Sequence, residues 1–284
     1  MPRADAQTPR AVQLLVTCLV DHLYPDVGFA AAAILERAGL EVLVPDGQTC
    51  CGQPAFNAGY HDDARMMARH TVDVLARRDA PVVVPSGSCA DMLVHHAPAL
   101  LADDPDYGPR AAALSQRTYE LTQFLVDVLG QTSCGACARE SVTYHPSCHG
   151  LRGLGVRDQP IVLLDAVEHI DRRPLADAES CCGFGGLFSV KMSAISGAML
   201  ERKLDAIEAT GARAVVASDV SCLMHMAGGL RRRGSTIGVR HIAELLADTG
   251  DPDGARLPLG RAPRSAHPQV GRDLSAVQTD EEPR

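Results

Sequence analysis

Eight of the ten cysteines in this chain fall into two sets that repeat one another. Cys18, the vicinal pair Cys50-Cys51 with Gly52, and Cys89 make the first set; Cys148, Cys181-Cys182 with Gly183, and Cys222 make the second. Matching positions are offset by 130, 131, 131 and 133 in the numbering. A spacing kept through four positions marks a duplication, and a duplicated chain folds as two copies of one supersecondary unit.

The segments between the cysteines repeat in kind. AVQLLVTC (11–18) and SVTYHPSC (141–148) each run from a short extended segment into a cysteine, the second with alternating polar residues. FAAAAILERAG and IVLLDAVEHI carry apolar residues at helical spacing. HDDARMMARHTVDVLARR and SAISGAMLERKLDAIEATG read as long amphipathic helices, the second stopped by Gly211. APVVVPSGSC and ARAVVASDVSC are apolar runs of the kind that a parallel sheet buries on both faces. RTYELTQFLVDVLG and STIGVRHIAELLADTG close each half as a strand and a helix. The fold class is therefore α/β, two duplicated three-layer units with mainly parallel sheets related by a pseudo-twofold axis. Residues 1–10 read as an N-terminal tail, 11–138 as the first repeat and 139–250 as the second, with 125–140 as the bridge. Residues 251–284 are rich in Pro, Asp, Arg and Gly without apolar periodicity, which predicts a disordered tail. Ligands of open α/β sheets sit beyond the carboxyl ends of the strands, where Cys18, Cys89, Cys148 and Cys222 fall.

Charge and composition remove several classes of function. Among 284 residues, 27 are basic and 35 acidic, for a net charge of −8, and the densest basic run is Arg231-Arg232-Arg233. No face is basic enough to track a phosphate backbone, so nucleic acid is not an expected partner. No stretch approaches the roughly 18–20 apolar residues of a membrane span, and MPRADAQTPR lacks the apolar core of a secretory signal. The expected location is the cytoplasm, where clustered cysteines serve metal ligation or redox chemistry rather than structural disulfides. No GxGxxG opens the first helix of either half, so no nicotinamide or flavin fingerprint is present.

Vicinal cysteines do not readily close on each other, because adjacent residues must distort the peptide to reach disulfide geometry. Cys50-Cys51 and Cys181-Cys182 instead direct two thiolates at one centre, with Gly52 and Gly183 permitting a close turn. Helix amino termini following both pairs would favour anionic sulfur. Thiolates select iron–sulfur clusters, zinc or copper(I). Four of them suffice for a [4Fe–4S] cluster or for a tetrahedral zinc, and count alone does not choose. His22, His145, His149 and His225 lie close in sequence to Cys18, Cys148 and Cys222, as candidate donors behind the sulfurs or replacement ligands. Lys191 either attracts an anion or caps a solvated face. Cys134-Gly-Ala-Cys137 lies in the bridge without a counterpart in the other half and reads as a variable loop, with a redox or metal role as the alternative.

The pattern of a single cysteine, a Cys-Cys-Gly and a further single cysteine, present as Cys18, Cys50-Cys51-Gly52 and Cys89 and again as Cys148, Cys181-Cys182-Gly183 and Cys222, resembles a known domain. This is the cysteine-rich CCG domain of heterodisulfide reductase and of the iron–sulfur subunits of glycolate and anaerobic glycerol-3-phosphate oxidases. SGSCADM (86–92), TYHPSCHGLRGLG (143–155), CCGFGGLFSVKMSAIS (181–196) and DVSCLMHMAGGLRRRG (219–234) are similar to the lactate-utilization protein A family of small CCG proteins. The resemblance covers about residues 11–250. It implies an electron-transfer subunit of an oxidoreductase that works with other lactate-utilization subunits, including a ferredoxin-type iron–sulfur protein, in oxidising L-lactate or a related 2-hydroxy acid. It implies Cys18, Cys50, Cys51, Cys89, Cys148, Cys181, Cys182 and Cys222 as ligands of one or two clusters, [4Fe–4S] in type, with zinc as the alternative in one half. The heterodisulfide reductase pattern has a fifth cysteine per repeat, and here Ser86 and Asp219 stand in its place. That departure counts against its five-cysteine cluster and leaves oxygen ligation by Asp219 open. A heterodisulfide-reductase-like thiol–disulfide subunit and a zinc-stabilised scaffold are the other two readings.

Overall fold

A computed structural model describes residues 9–250. The expected tail at 251–284 and most of that at 1–10 lie outside the described residues. Strands β1 (Ala11–Leu14), β2 (Glu41–Leu43), β3 (Val82–Val84) and β4 (Thr118–Glu120) form one sheet in the order β2-β1-β3-β4. Strands β5 (Ser141–Tyr144), β6 (Asp171–Arg173), β7 (Ala214–Ala217) and β8 (Gly238–His241) form a second in the order β6-β5-β7-β8. All pairings are parallel and the registers correspond: Val12 faces Val42 and Val142 faces Arg172, while Val83 faces Tyr119 and Val215 faces Val239. The expected duplication of a parallel α/β unit is the observed fold.

Apolar runs become the central strands because helices cover both sheet faces. Val82, Val83 and Val84 are fully buried, as are Ala214 to Ala217. On one face the two sheets share a core, in which Val12, Leu14, Leu35 and Phe124 of the first half join Val142, Leu163, Val216 and Ile242 of the second. Each such side chain withdrawn from water contributes about 1.5–3 kcal/mol, so the halves form one body rather than two beads. On the outer faces each half has its own core, around Leu75, Leu93 and Leu114 in the first and Leu200, Leu204 and Leu223 in the second. Gln13 is fully buried in β1, and its amide donates to the carbonyls of Leu75 and Ala80 at 3.1 and 3.2 Å.

The last helix of each half is capped in the same way. At the end of β4, Glu120 Oε2 accepts from the backbone N–H groups of Thr122 and Gln123, and the Gln123 side chain accepts from Glu120 N–H. At the end of β8, His241 Nδ1 accepts from Ala243 N–H and Glu244 accepts from His241 N–H. These are reciprocal capping boxes. One expectation is shortened: IVLLDAVEHI is helical only within Gln159–Asp165. The chain leaves the helix there because the backbone of Glu168 pairs with the inter-repeat segment, accepting from Ala138 N–H at 2.9 Å and donating to Ala136 C=O at 2.9 Å. Among the described residues, no helix is long and apolar enough to cross a membrane.

Candidate metal centre

Three separate stretches of each half bring their sulfurs to the carboxyl edge of its sheet. Cys18 opens the helix Cys18–Leu23 just beyond β1, and Cys89 lies in the helix Gly87–Asp91 just beyond β3. Cys148 follows β5, and Cys222 lies in the first turn of the helix Val220–Arg232 beyond β7. The vicinal pairs arrive on loops and are turned inward by Gly52 (φ 91°) and Gly183 (φ 90°), in the left-handed region that suits glycine. After Gly52 a helix, Gln53–Asn57, begins at once, as the sequence predicts. After Gly183 the chain turns through two further left-handed glycines and becomes helical only at Phe188. The second pair therefore receives no helix amino terminus; instead Gly183 N–H donates to Cys181 Sγ at 3.3 Å.

Within each set the sulfurs form a chain of contacts. Cys18 meets Cys50, Cys50 meets Cys51, and Cys51 Sγ lies 3.4 Å from Cys89 Sγ. In the second half Cys148 meets Cys181, Cys181 meets Cys182, and Cys182 meets Cys222. The hydrogen bonds from Cys18 and Cys51 hold the Cys50 thiol far below its usual pKa, and those from Cys148 and Cys182 do the same for Cys181. The outer members are pushed up, Cys18 by its bond to Cys50 and Cys148 by its bond to Cys181. Each set is thus a row of mutually hydrogen-bonded thiols whose second sulfur is the most readily ionised, and a soft metal would take the place of the shared protons. All eight cysteines line one cavity of about 520 Å³ between the two halves.

The second half holds a buried imidazole beside its sulfurs. His145 is 1% exposed, and neither ring nitrogen has a hydrogen-bond partner among the described residues. One of those nitrogens lies within 4.8 Å of both Cys182 Sγ and Cys222 Sγ. An unpaired buried polar atom costs about 1–3 kcal/mol, and a group that bonds to sulfur and nitrogen together would relieve that cost at His145. The donor set, four thiols with an imidazole beside them, suits soft and borderline metals and not hard cations.

Comparison with known proteins gives the geometry its relatives. The profile of the CCG cysteine-rich domain family matches residues 12–94 and 142–227, one match per half. The chain is 51% identical over 235 residues to lactate utilization protein A of Shouchella clausii, covering 83% of this chain and 98% of that one. It is 48% identical over 236 residues to lactate utilization protein A of an Exiguobacterium species, covering 83% and 96%. The chain belongs to the lactate utilization protein A family of CCG proteins. A solved structure of a hypothetical protein from Helicobacter pylori shares the fold, with TM-score 0.58 at 12% identity over 86% of this chain and 50% of that one.

In this family member the remaining sequence candidates separate clearly. His149 borders the cavity, its Nδ1 bonded at 2.6 Å to the buried carboxylate of Asp91 from the other half. Burial works against that carboxylate, but bonds from His149 and His95 outweigh it and hold its pKa below the usual range. Asp219 also borders the cavity, with both oxygens occupied: Oδ1 accepts from Ser221 N–H, and Oδ2 accepts from Ser88 N–H. His225 stands behind the site, edge-on to Phe184 and 3.4 Å from Ser196 Oγ. His22 is exposed and pairs with Asp21 outside the cavity. Lys191 lies over the ring of Tyr60 at 5.7 Å. Cys134 packs against the shared core, and Cys137 sits beside Glu168 and His169, so neither joins the eight.

Sequence reasoning missed Asp91, Lys203 and Gln48. Asp91 has no local signal, because its partner His149 is 58 positions away in the other repeat. Lys203 had one: it is a lysine on the apolar stripe of Leu200, Leu204 and Ile207, and it is 1% exposed. Gln48 ties the first vicinal loop to β1, accepting from Val16 N–H at 2.8 Å and donating to Leu14 C=O at 2.9 Å.

Proposed function

We propose that this chain is the iron–sulfur electron-transfer subunit of a cytoplasmic system that oxidises L-lactate, or a related 2-hydroxy acid, to pyruvate. Its relatives carry the name lactate utilization protein A, and the role would be shared with other lactate-utilization subunits, among them a ferredoxin-type protein. Cys18, Cys50, Cys51 and Cys89 would hold one [4Fe–4S] cluster, and Cys148, Cys181, Cys182 and Cys222 a second. Such clusters supply one-electron carriers to a two-electron oxidation. The chain's own residues gather the thiolates, fix them on the rims of two sheets and shield them between two halves.

The observation that carries this reading is that both sulfur sets open onto one cavity. Structural zinc sites are closed, four-coordinate and enclosed by their ligands, whereas here Cys18, Cys50, Cys148 and Cys181 are only partly buried and face shared space. Two centres on one cavity suit a passage of electrons between them. One observation favours the zinc-stabilised scaffold instead: the Cys51 to Cys89 separation of 3.4 Å is near the about 3.8 Å between sulfurs around a single tetrahedral zinc.

Iron, sulfide and zinc quantification with EPR on anaerobically prepared protein decides between them. The cluster reading expects iron and sulfide in both halves, with Cys51→Ser and Cys182→Ser each removing the iron of one half and leaving the other. One zinc per half and no sulfide would establish the scaffold. Iron unaffected by either substitution would end the ligand assignment.

A further inference from the structure

The two sulfur sets are alike in ligands but unlike in surroundings. Matching the repeats through Cys18 and Cys148 places Leu15 where the second half has His145. Leu15 is packed in the apolar outer core of the first half, while His145 is buried beside Cys182 and Cys222 with both nitrogens unpartnered among the described residues. The long helices can be matched through their contact with the glycine that follows each pair. Gly52 abuts Ala64 and Met67, and Gly183 abuts Ser196 and Met199, an offset of 132 in both cases. That register sets Thr71 opposite Lys203. Lys203 is buried with its ammonium donating to the carbonyls of Asp177 and Ala178 at 2.9 and 3.1 Å, in the loop that leads to Cys181. The first set therefore has a leucine and a threonine where the second has an imidazole and a buried cation.

The fifth donor adds to the contrast. Ser86 and Asp219, at the positions of the fifth cysteine in the longer CCG pattern, are both spent on backbone N–H groups. In the first half nothing replaces that donor among the described residues near the four sulfurs. In the second half His145 is within reach of the same centre. A nearby positive charge raises the potential of an iron–sulfur centre, because it favours the more reduced, more negative state, and a neutral imidazole in the place of the fifth donor adds a bond without the negative charge that a fifth thiolate would bring.

We propose that His145 binds the second centre through a ring nitrogen, and that His145 with Lys203 sets this centre at a higher reduction potential than the first. Electrons then pass one at a time from the centre of Cys18, Cys50, Cys51 and Cys89, which is oxidised, to that of Cys148, Cys181, Cys182 and Cys222, which is reduced. The fold has a direction built into its duplication. The inference rests on the assignment of both quartets as iron–sulfur centres.

Pulsed EPR on the reduced full-length protein, prepared with ¹⁴N- or ¹⁵N-histidine, reads the bond directly and needs no variant. A strong histidine nitrogen coupling is expected on one of two signals, surviving in Cys51→Ser and lost in His145→Leu. Redox titration is expected to give two midpoint potentials, the higher one remaining in Cys51→Ser. In His145→Leu and in Lys203→Thr, which install the residues of the first half, the higher potential should fall toward the lower one at unchanged iron content. Two loaded centres with no histidine coupling, or with potentials unmoved in Lys203→Thr, would overturn the proposal while leaving the cluster assignment intact. Protein with no iron in either quartet would overturn both.

Discussion

Ser86 Oγ and Asp219 Oδ2 lie 3.3 Å apart across the boundary between the repeats, although the two residues hold the same position within them. A residue meeting its own counterpart is what a twofold relation between the halves produces. Each also caps a cysteine-bearing helix: Ser86 Oγ accepts from Cys89 N–H and Asp219 Oδ1 accepts from Ser221 N–H. The position that a fifth cysteine occupies in related domains has become the joint between the two halves.

Asp219→Ala is expected to destabilise the metal-free protein by about 1.5–5 kcal/mol, the sum of two losses. It removes one helix cap, worth about 0.5–2 kcal/mol, and leaves Ser88 N–H buried without its 2.8 Å acceptor, at about 1–3 kcal/mol. Asp219→Asn keeps an acceptor and should lose less than half as much. Urea denaturation followed by circular dichroism measures both. An alanine variant within about 0.5 kcal/mol of the parent, the range of an ordinary surface substitution, would refute the joint.

Gly183→Ala should damage the second centre more than Gly52→Ala damages the first. Both glycines have φ near 90°, where a Cβ costs roughly 1–2 kcal/mol. The difference is the neighbour: a Cβ on Gly183 would lie 2.6 Å from the backbone oxygen of Ser196, while one on Gly52 meets the Met67 side chain at 3.2 Å. The contact at Gly52 asks its neighbour to give by only a few tenths of an ångström, whereas the one at Gly183 is shorter than a Cβ tolerates and forces the backbone of Ser196 to move. Iron retained per half after desalting, in each variant, is the measurement.

The strand-end cysteines and the doubling were legible because they rest on local pattern: apolar runs such as VVVP and AVVA have only one comfortable place, inside a parallel sheet. Cys18 and Cys89 were placed by lying at the carboxyl ends of strands, and Cys50-Cys51 by the chemistry of a vicinal pair followed by a glycine, which directs two sulfurs at one centre. Asp91 with His149, and Ser86 with Asp219, were not legible, because each pair is made by the docking of one half on the other. His145 was visible only as a histidine near a cysteine; that both its nitrogens lack partners is a property of packing, which no spacing encodes.

Gln48→Ala is expected to loosen the first centre alone. Its amide spans from Val16 N–H to Leu14 C=O and so fixes the Cys50-Cys51 loop against the strand that leads to Cys18. The matching position in the second half is Glu179, which faces Arg157 instead and makes no such tether. The variant should release iron from the first quartet several-fold faster under a chelator, with release from the second unchanged. Equal effects on both halves would show that the tether is not local.

Stability should depend on pH through Glu120. Burial pushes its carboxyl up from the usual 4.5 to about 7, opposed by its bonds to Thr122 and Gln123. Between those two values the folded protein binds the proton more tightly than the unfolded chain, so this residue's contribution is complete below pH 4.5 and is lost as pH rises through about 7. The loss amounts to roughly 3 kcal/mol, since each pKa unit corresponds to about 1.4 kcal/mol. His241 works in the other direction: burial lowers its pKa to about 4, so the stability that it contributes is lost as pH falls below about 6.5. The parent curve alone therefore mixes opposing slopes. Glu120→Gln removes one of them and keeps an oxygen that accepts from Thr122 N–H. The parent-minus-variant difference in unfolding free energy, measured by urea from pH 4.5 to 8, should decline steadily up to about pH 7 and then level off. A difference that stays flat over that range would mean that Glu120 titrates at its ordinary value despite its burial at the head of the helix it caps.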